Sequence, residues 1–405
     1  MSPIRIAVAG GNYAGLNAVK QLYASLLAPT VPEQTRPKVE ITLIDKRDGF
    51  LHYIGITRGF TEPEFGNRLW VPYASVPWLQ HPSVSICHDA VTKITPSAIH
   101  LASNMPVPFD YLVIALGETR ATPIGAKATT KKEFSKDIDH VYRQIKGSNT
   151  VVVVGAGAVG IEMAADIKCD FGEKRVILAH SRALPLPGPF SDAFRGQVVD
   201  ILKDIGVDVM LGQRVVNQSP DSSINNEVAT EGGYSLTLAD GRQITADCVI
   251  RCLGTSTGST KQLIDLPVPE SAGAEPLFGP HGIRVKDTMQ IDCPLYPNIY
   301  ACGDICARNN VKLAGVAMYG GYVAARNIAR SVLRINEQLE KSPQFPSKIM
   351  LLLGKDNFAL QYADEIWEKE RVKQFITDDM GLQLSIDALS LNSTPEYDDL
   401  KIKSD

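Results

Sequence analysis

No run in this 405-residue chain is long enough to span a bilayer; the strongest apolar stretches are VVVV at 151 to 154 and IMLLL at 349 to 353. Blocks of like charge are also missing. With 41 basic residues against 45 acidic ones the net charge is −4, which argues against a surface that wraps nucleic acid. Cysteine is sparse and odd in number: Cys87, Cys169, Cys248, Cys252, Cys293, Cys302 and Cys306 are scattered along the chain, a poor disulfide framework that favours a reducing compartment. The seven histidines show neither HExxH nor a cysteine–histidine zinc spacing, so no metal is expected. A GxSxG elbow for hydrolysis is absent. The opening MSPIRIAVAGG enters a strand pattern at once and leaves no room for a secretory signal, Ser2 excludes myristoylation, and the final KSD carries no prenylation or retention signal. A cytoplasmic location is expected, with mitochondrial or peripheral membrane association left open.

What is present reads as a soluble globular protein of two or three domains, 44% hydrophobic and 21% charged. IRIAVA at 4 to 9 is a buried strand; a glycine turn follows, and then a helix with Leu16, Val19, Leu22, Tyr23, Leu26 and Leu27 at helical spacing. A proline-punctuated loop at 28 to 38 leads to the strand VEITLID at 39 to 45. The plan begins again at 150, where TVVVVGAGAVGIEMAADI is strand, turn and helix, and RVILAHS at 175 to 181 is the next strand. YSLTLADGRQITADCVI at 234 to 250 reads as two alternating strands around an Asp-Gly turn, and a helix is expected at about 314 to 335.

The second fingerprint is the cleaner one. Gly155, Gly157 and Gly160 stand in GxGxxG spacing between strand and amphipathic helix: the first permits the tight turn, the second admits a pyrophosphate, and the third lets helix pack on strand. A dinucleotide is therefore expected at the helix N-terminus. After the next strand stand His180, Ser181 and Arg182 where an acid usually takes the ribose 2′-hydroxyl, so NADPH should be tolerated. Arg182 reads equally well as a solvated surface residue. The first fingerprint is Gly10-Gly11-Asn12-Tyr13-Ala14-Gly15, with Asn12 in place of the second glycine. Asparagine tolerates positive φ better than most residues, so the loop should form with slightly less room for a pyrophosphate. Asp45, ending the next strand, supplies a ribose acceptor.

FDYLVIALG at 109 to 117, DCVIRCLG at 247 to 254 and YPNIYACGD at 296 to 304 complete the pattern. With the two fingerprints they resemble the flavoprotein reductases with two dinucleotide-binding domains, within them the apoptosis-inducing-factor-like, ferroptosis-suppressor type of quinone reductase. The resemblance implies an α/β fold of two Rossmann-like domains with a smaller C-terminal α+β region. Its expected boundaries are an FAD domain at 1–120 and 254–338, an NAD(P)H domain at 121–253, and a C-terminal region at 339–405 ending in an acidic tail. It assigns Gly10 to Gly15, Asp45, Arg58, Val91, Gly303 and Asp304 to FAD, and sets Glu162 near the nicotinamide as the catalytic candidate. For Arg58 the bland alternative is a surface arginine.

Hydride would pass from NAD(P)H through FAD to a small quinone-like acceptor. Two other readings stand beside this one: a tailoring oxidoreductase of a biosynthetic pathway, and a redox-gated cell-death effector. Neither Cys-x4-Cys nor Cys-x2-Cys is present, so Cys302, Cys306, Cys248 and Cys252 are expected to be structural thiols. DEIWEKERVKQFI at 364 to 376 carries Ile366, Trp367, Phe375 and Ile376 among many charges. It is expected to pack on its own domain, with weak peripheral membrane contact as the alternative.

Overall fold

The computed structural model describes residues 2–29, 31, 36–118, 127–219, 233–253, 260–268, 276–279, 282–308, 312–374 and 379–396. Strand β1 (Ile4–Ala9) runs through the first glycine turn into helix α1 (Tyr13–Leu26), and β2 (Val39–Asp45) returns parallel to β1. A short strand β3 (Gly49–Leu51), a one-turn helix α2 (Ile56–Gly59), β4 (Val84–His88) and β5 (Tyr111–Ile114) follow. The strands are near-continuous apolar runs because both faces of a parallel sheet are covered. Ile6, Val8, Ile41 and Leu43 are fully buried, as are Leu16, Val19, Leu22 and Leu26 on the inner face of α1.

Helix α3 (Lys131–Gly147) opens the second unit with a capping box between Thr130 and Glu133. Strand β6 (Thr150–Val154), helix α4 (Ala158–Asp170), β7 (Arg175–Ala179), α5 (Asp192–Asp204), β8 (Asp208–Met210) and β9 (Cys248–Arg251) follow. They form a parallel sheet in the order β8-β7-β6-β9. The stretch 234 to 250 holds one strand more than its alternation suggests. Tyr234–Leu238 and Gln243–Ala246 are antiparallel partners, and Cys248–Arg251 leaves them to join the parallel sheet. Asp247 makes the break, its Oδ2 accepting the amides of Asn149 and Thr150 at 2.8 Å each.

Strand β10 (Ile299–Ala301) returns to the first unit and completes a five-stranded parallel sheet in the order β10-β5-β1-β2-β4. In each sheet the strand before the glycine turn is flanked by neighbours reached in opposite directions, which opens a crevice at its carboxyl end. Helix α6 (Ala314–Val332) packs against α1 so closely that a Cβ on Gly321 would stand 2.1 Å from the Ala14 carbonyl oxygen. The C-terminal region adds an antiparallel sheet, β11 (Lys348–Leu353), β12 (Asn357–Tyr362) and β13 (Glu365–Ile366), then short helices α7 (Lys369–Lys373) and α8 (Leu382–Ala388). Trp367 stacks under the Arg371 guanidinium at 3.7 Å, while Phe375, Ile376, Gly254 and the acidic tail from 397 lie outside the described residues. Among the described residues no helix is long and apolar enough to cross a membrane.

Candidate functional site

At the first glycine turn Gly10 takes φ +106°, and a Cβ there would lie 2.2 Å from the Ala115 carbonyl oxygen, so glycine is required. Asn12 works differently from the sequence expectation. Its φ is −97°, not positive, and its side chain caps α1, accepting the Tyr13 amide at 2.8 Å and donating from Nδ2 to the Leu51 carbonyl at 3.0 Å. Asp45 faces the same loop: Oδ2 accepts the Gly11 amide at 2.5 Å and Oδ1 the Arg47 amide at 2.7 Å. Asp89 donates its amide to the Asp45 carbonyl at 3.0 Å, two residues before Val91, which starts the strand Val91–Ile94. Gly303 (φ +80°) sets the turn carrying Asp304 against α1, a Cβ at Gly303 falling 3.1 Å from that of Ala14. The structure thus gathers Gly10 to Gly15, Asp45, Gly303 and Asp304 around the start of α1. Backbone amides, a helix N-terminus and two carboxylates fit a dinucleotide with ribose and ribitol hydroxyls.

The second unit repeats the arrangement with one substitution. Gly155 (φ +112°) approaches Cys252, Gly160 packs on Gly155, and Gly157 caps α4 in extended backbone, with nothing within 4 Å of where its Cβ would stand. That open side is the room a pyrophosphate needs. His180 occupies the place held by Asp45 in the first unit: the Ala156 amide donates to its Nδ1 at 3.1 Å, as the Gly11 amide donates to Asp45. An acceptor at Nδ1 places the proton of the neutral ring on Nε2, which faces the Leu184 backbone. Burial, with Arg182 second, holds the imidazole below its ordinary pKa. Ser181 and Arg182 beside it are exposed. This crevice fits a nicotinamide dinucleotide, and it offers an imidazole and a cation where its counterpart offers a carboxylate.

Arg58 and Glu162 meet in a cluster that local sequence patterns do not reveal. Arg58, on α2, is 3% exposed, so it is not a surface arginine; its Nη2 lies 3.5 Å from Asp166 Oδ1 and donates to the Gly354 carbonyl at 2.8 Å. These contacts, which account for its burial, tie the first unit to α4 and to the β11–β12 turn. Glu162 sits one turn before Asp166 on α4, and its Oε1 accepts the Leu352 amide at 3.1 Å. Burial is the main reason the Glu162 carboxyl is pushed up to about 8 and Asp166 to about 7, with Arg58 pulling both down. Thr57 and Arg58 both face the Asp166 carboxyl and pull it down against that burial. The one signal for Asp166 in the sequence is its i, i+4 spacing from Glu162 and from Asp170 on α4.

Cys248, Cys302 and Cys306 are buried, and burial pushes the Cys248, Cys252 and Cys306 thiols up to about 12 and that of Cys302 well above its usual range. Such thiols stay protonated and are poor nucleophiles. Among the described residues no group of acids, histidines and cysteines is arranged to hold a metal ion.

Residues 4–321 match the family described as pyridine nucleotide-disulphide oxidoreductase. The chain belongs to that family. It is 30% identical to "Oxidoreductase OXR1" of Ajellomyces capsulatus, over 97% of this chain and 89% of the relative, and 26% identical to "Ferroptosis suppressor protein 1" of Xenopus tropicalis, over 89% and 88%. Among solved structures, the NAD-dependent persulfide reductase from A. fulgidus superposes with a TM-score of 0.66 at 19% identity. It covers 92% of this chain, which spans 65% of its length. A water-forming NADH oxidase from Lactobacillus brevis bound to NADH gives 0.65 at 18% identity, covering 88% of this chain and 74% of that one. The pyridine nucleotide-disulphide oxidoreductase fold is thus present through both glycine crevices, and the protein is an oxidoreductase that uses FAD and NAD(P)H.

Proposed function

We propose that this oxidoreductase passes reducing equivalents from NAD(P)H through FAD to a small quinone-like acceptor, with FAD in the crevice of Asp45 and Asp304 and the nicotinamide dinucleotide in that of Gly157 and His180. The observation that carries the acceptor assignment is the state of the thiols. Disulphide exchange needs a reactive thiolate, and here Cys302 and Cys306 are buried, with thiols held far above neutrality. A diffusible two-electron acceptor needs no thiol, and the resemblance to the ferroptosis-suppressor type implies a quinone.

Bound FAD would accept hydride from the nicotinamide and hand two electrons onward. The chain's own groups bind and orient. Asp45 fixes the Gly11 amide, Asn12 caps α1, and Glu162 anchors Leu352 of β11 beside α4. The test is anaerobic: enzyme reduced with NADPH is mixed with short-chain quinones or with a disulfide panel while flavin absorbance is followed. Rapid reoxidation by quinones is expected. Rapid reoxidation by a disulfide, lost on Cys302→Ser or Cys306→Ser, would overturn the assignment.

A further inference from the structure

We infer that His52 is a positioning residue through which the C-terminal segment 379–391 holds the flavin-binding loop, so that docking of this strap and binding of FAD reinforce each other. The inference rests on the reading that the first crevice takes FAD.

His52 follows β3 and is fully buried. Its Nε2 lies 3.0 Å from the Met380 carbonyl, which can only accept, so Nε2 carries the proton and Nδ1 accepts from the Tyr13 hydroxyl at 3.0 Å. Burial keeps the ring neutral by lowering its pKa. Tyr13 is the first residue of α1, its ring meets Phe50 edge to face at 5.1 Å, and it lies within electrostatic reach of Asp304. A hydrogen-bonded chain therefore runs from the flavin crevice through His52 to the strap. A second tie, from Asn12 Nδ2 to the Leu51 carbonyl, fixes the same loop to the residue before His52. The departure from glycine at position 12 thus supplies part of the connection.

The strap is held at more than one point. Lys20 Nζ donates to the Ala388 carbonyl at 2.7 Å and Trp78 Nε1 to the Ser390 carbonyl at 2.9 Å. Leu389 and Leu391 are fully buried in the core of the first unit, whereas Met380 and Leu382 are buried in that of the second. Met380 and Ser390 hold φ of 55° and 51°, a left-handed conformation that non-glycine residues keep only where surrounding contacts impose it. A segment plugged into both cores, whose strained residue accepts the bond from His52, responds when the loop at the other end of the chain is ordered. Coupling of this kind is reciprocal.

Amide hydrogen exchange on FAD-loaded and FAD-stripped protein tests it, together with the FAD dissociation rate. FAD should slow exchange at 10–16 and 303–306, which reports the site, and also at 380–391, which reports the coupling. Protection at the loop without protection at the strap overturns the inference and leaves the site reading standing; absence of both overturns the site reading as well. His52→Phe removes the bonds to both Tyr13 and Met380; loss of the Tyr13 bond on the loop side should speed FAD release by about three- to tenfold, and loss of the Met380 bond should abolish strap protection. Lys20→Met loosens the strap at Ala388 without touching the loop and should also speed FAD release. That variant decides the matter if His52→Phe does not fold, and an unchanged FAD dissociation rate in it counts against the coupling.

Discussion

Replacing Arg58 by Met should destabilise the protein in a way that grows with pH. Burial raises Glu162 to about 8 and Asp166 to about 7, so the fold retains protons that an unfolded chain releases near pH 4. Where the folded state binds more protons, stability falls as pH rises, here through the window from about 4 to 8. Arg58, 3.5 Å from Asp166, limits that fall. Without the guanidinium both carboxyls titrate higher, and above neutrality the cluster must either ionise unpaired or hold its protons against the solvent. Breaking a buried pair costs about 3–5 kcal/mol where the remaining charge is not relieved. At pH 5 both carboxyls are neutral and most of that cost disappears. At roughly 1 °C per kcal/mol for a chain of 405 residues, Tm should drop by about 4–6 °C at pH 8.5 and by only about a degree at pH 5. Thermal unfolding of FAD-loaded protein, followed by circular dichroism from pH 5 to 8.5, measures this. An equal drop at both ends of the range would refute the proton-linked account, and loss of FAD with unchanged Tm would favour the flavin contact that the resemblance implies.

Asp304→Ala should weaken FAD retention, read as the fraction of flavin kept through gel filtration, while Tm of the stripped protein stays close to that of wild type. Arg182→Glu should move coenzyme preference toward NADH by about tenfold, a 1.4 kcal/mol change in relative binding, measured as the ratio of flavin-reduction rates with NADPH and NADH. The ratio should start at or above one in the wild type, because His180 and Arg182 replace the acid that selects an unphosphorylated ribose. Cys302→Ser and Cys306→Ser should leave quinone turnover largely intact, since neither thiol ionises near neutrality.

The doubled α/β plan is legible in the sequence because its signals are local. A strand buried on both faces is an unbroken apolar run, and VVVV at 151 to 154 is such a run, found buried in β6. A glycine forced to positive φ, such as Gly10 or Gly155, leaves a mark at one position. What stays hidden is whatever depends on distant pieces of chain. Arg58 and Asp166 are 108 residues apart, and His52 meets Met380 across 328. Nothing near either histidine or arginine specifies the partner. The break at Asp247 escaped for a related reason, since alternation continues through it while the strand changes sheets.

Position 12 shows how a correct outcome can follow from an incomplete reason. Positive φ was the expected demand on Asn12, yet both loops hold their second position in extended backbone, at φ −97° for Asn12 and −77° for Gly157. Conformational freedom is therefore not what that site requires. Size is: a Cβ at Gly157 would meet no protein atom within 4 Å, so the constraint there comes from the ligand side. Asparagine at 12 turns its side chain instead to the Tyr13 amide and the Leu51 carbonyl, and satisfies a helix-terminal donor that glycine cannot. The first loop thus gives up some room beside the pyrophosphate and gains a fixed attachment to β3. The second loop has no side-chain cap on α4, and keeps that room.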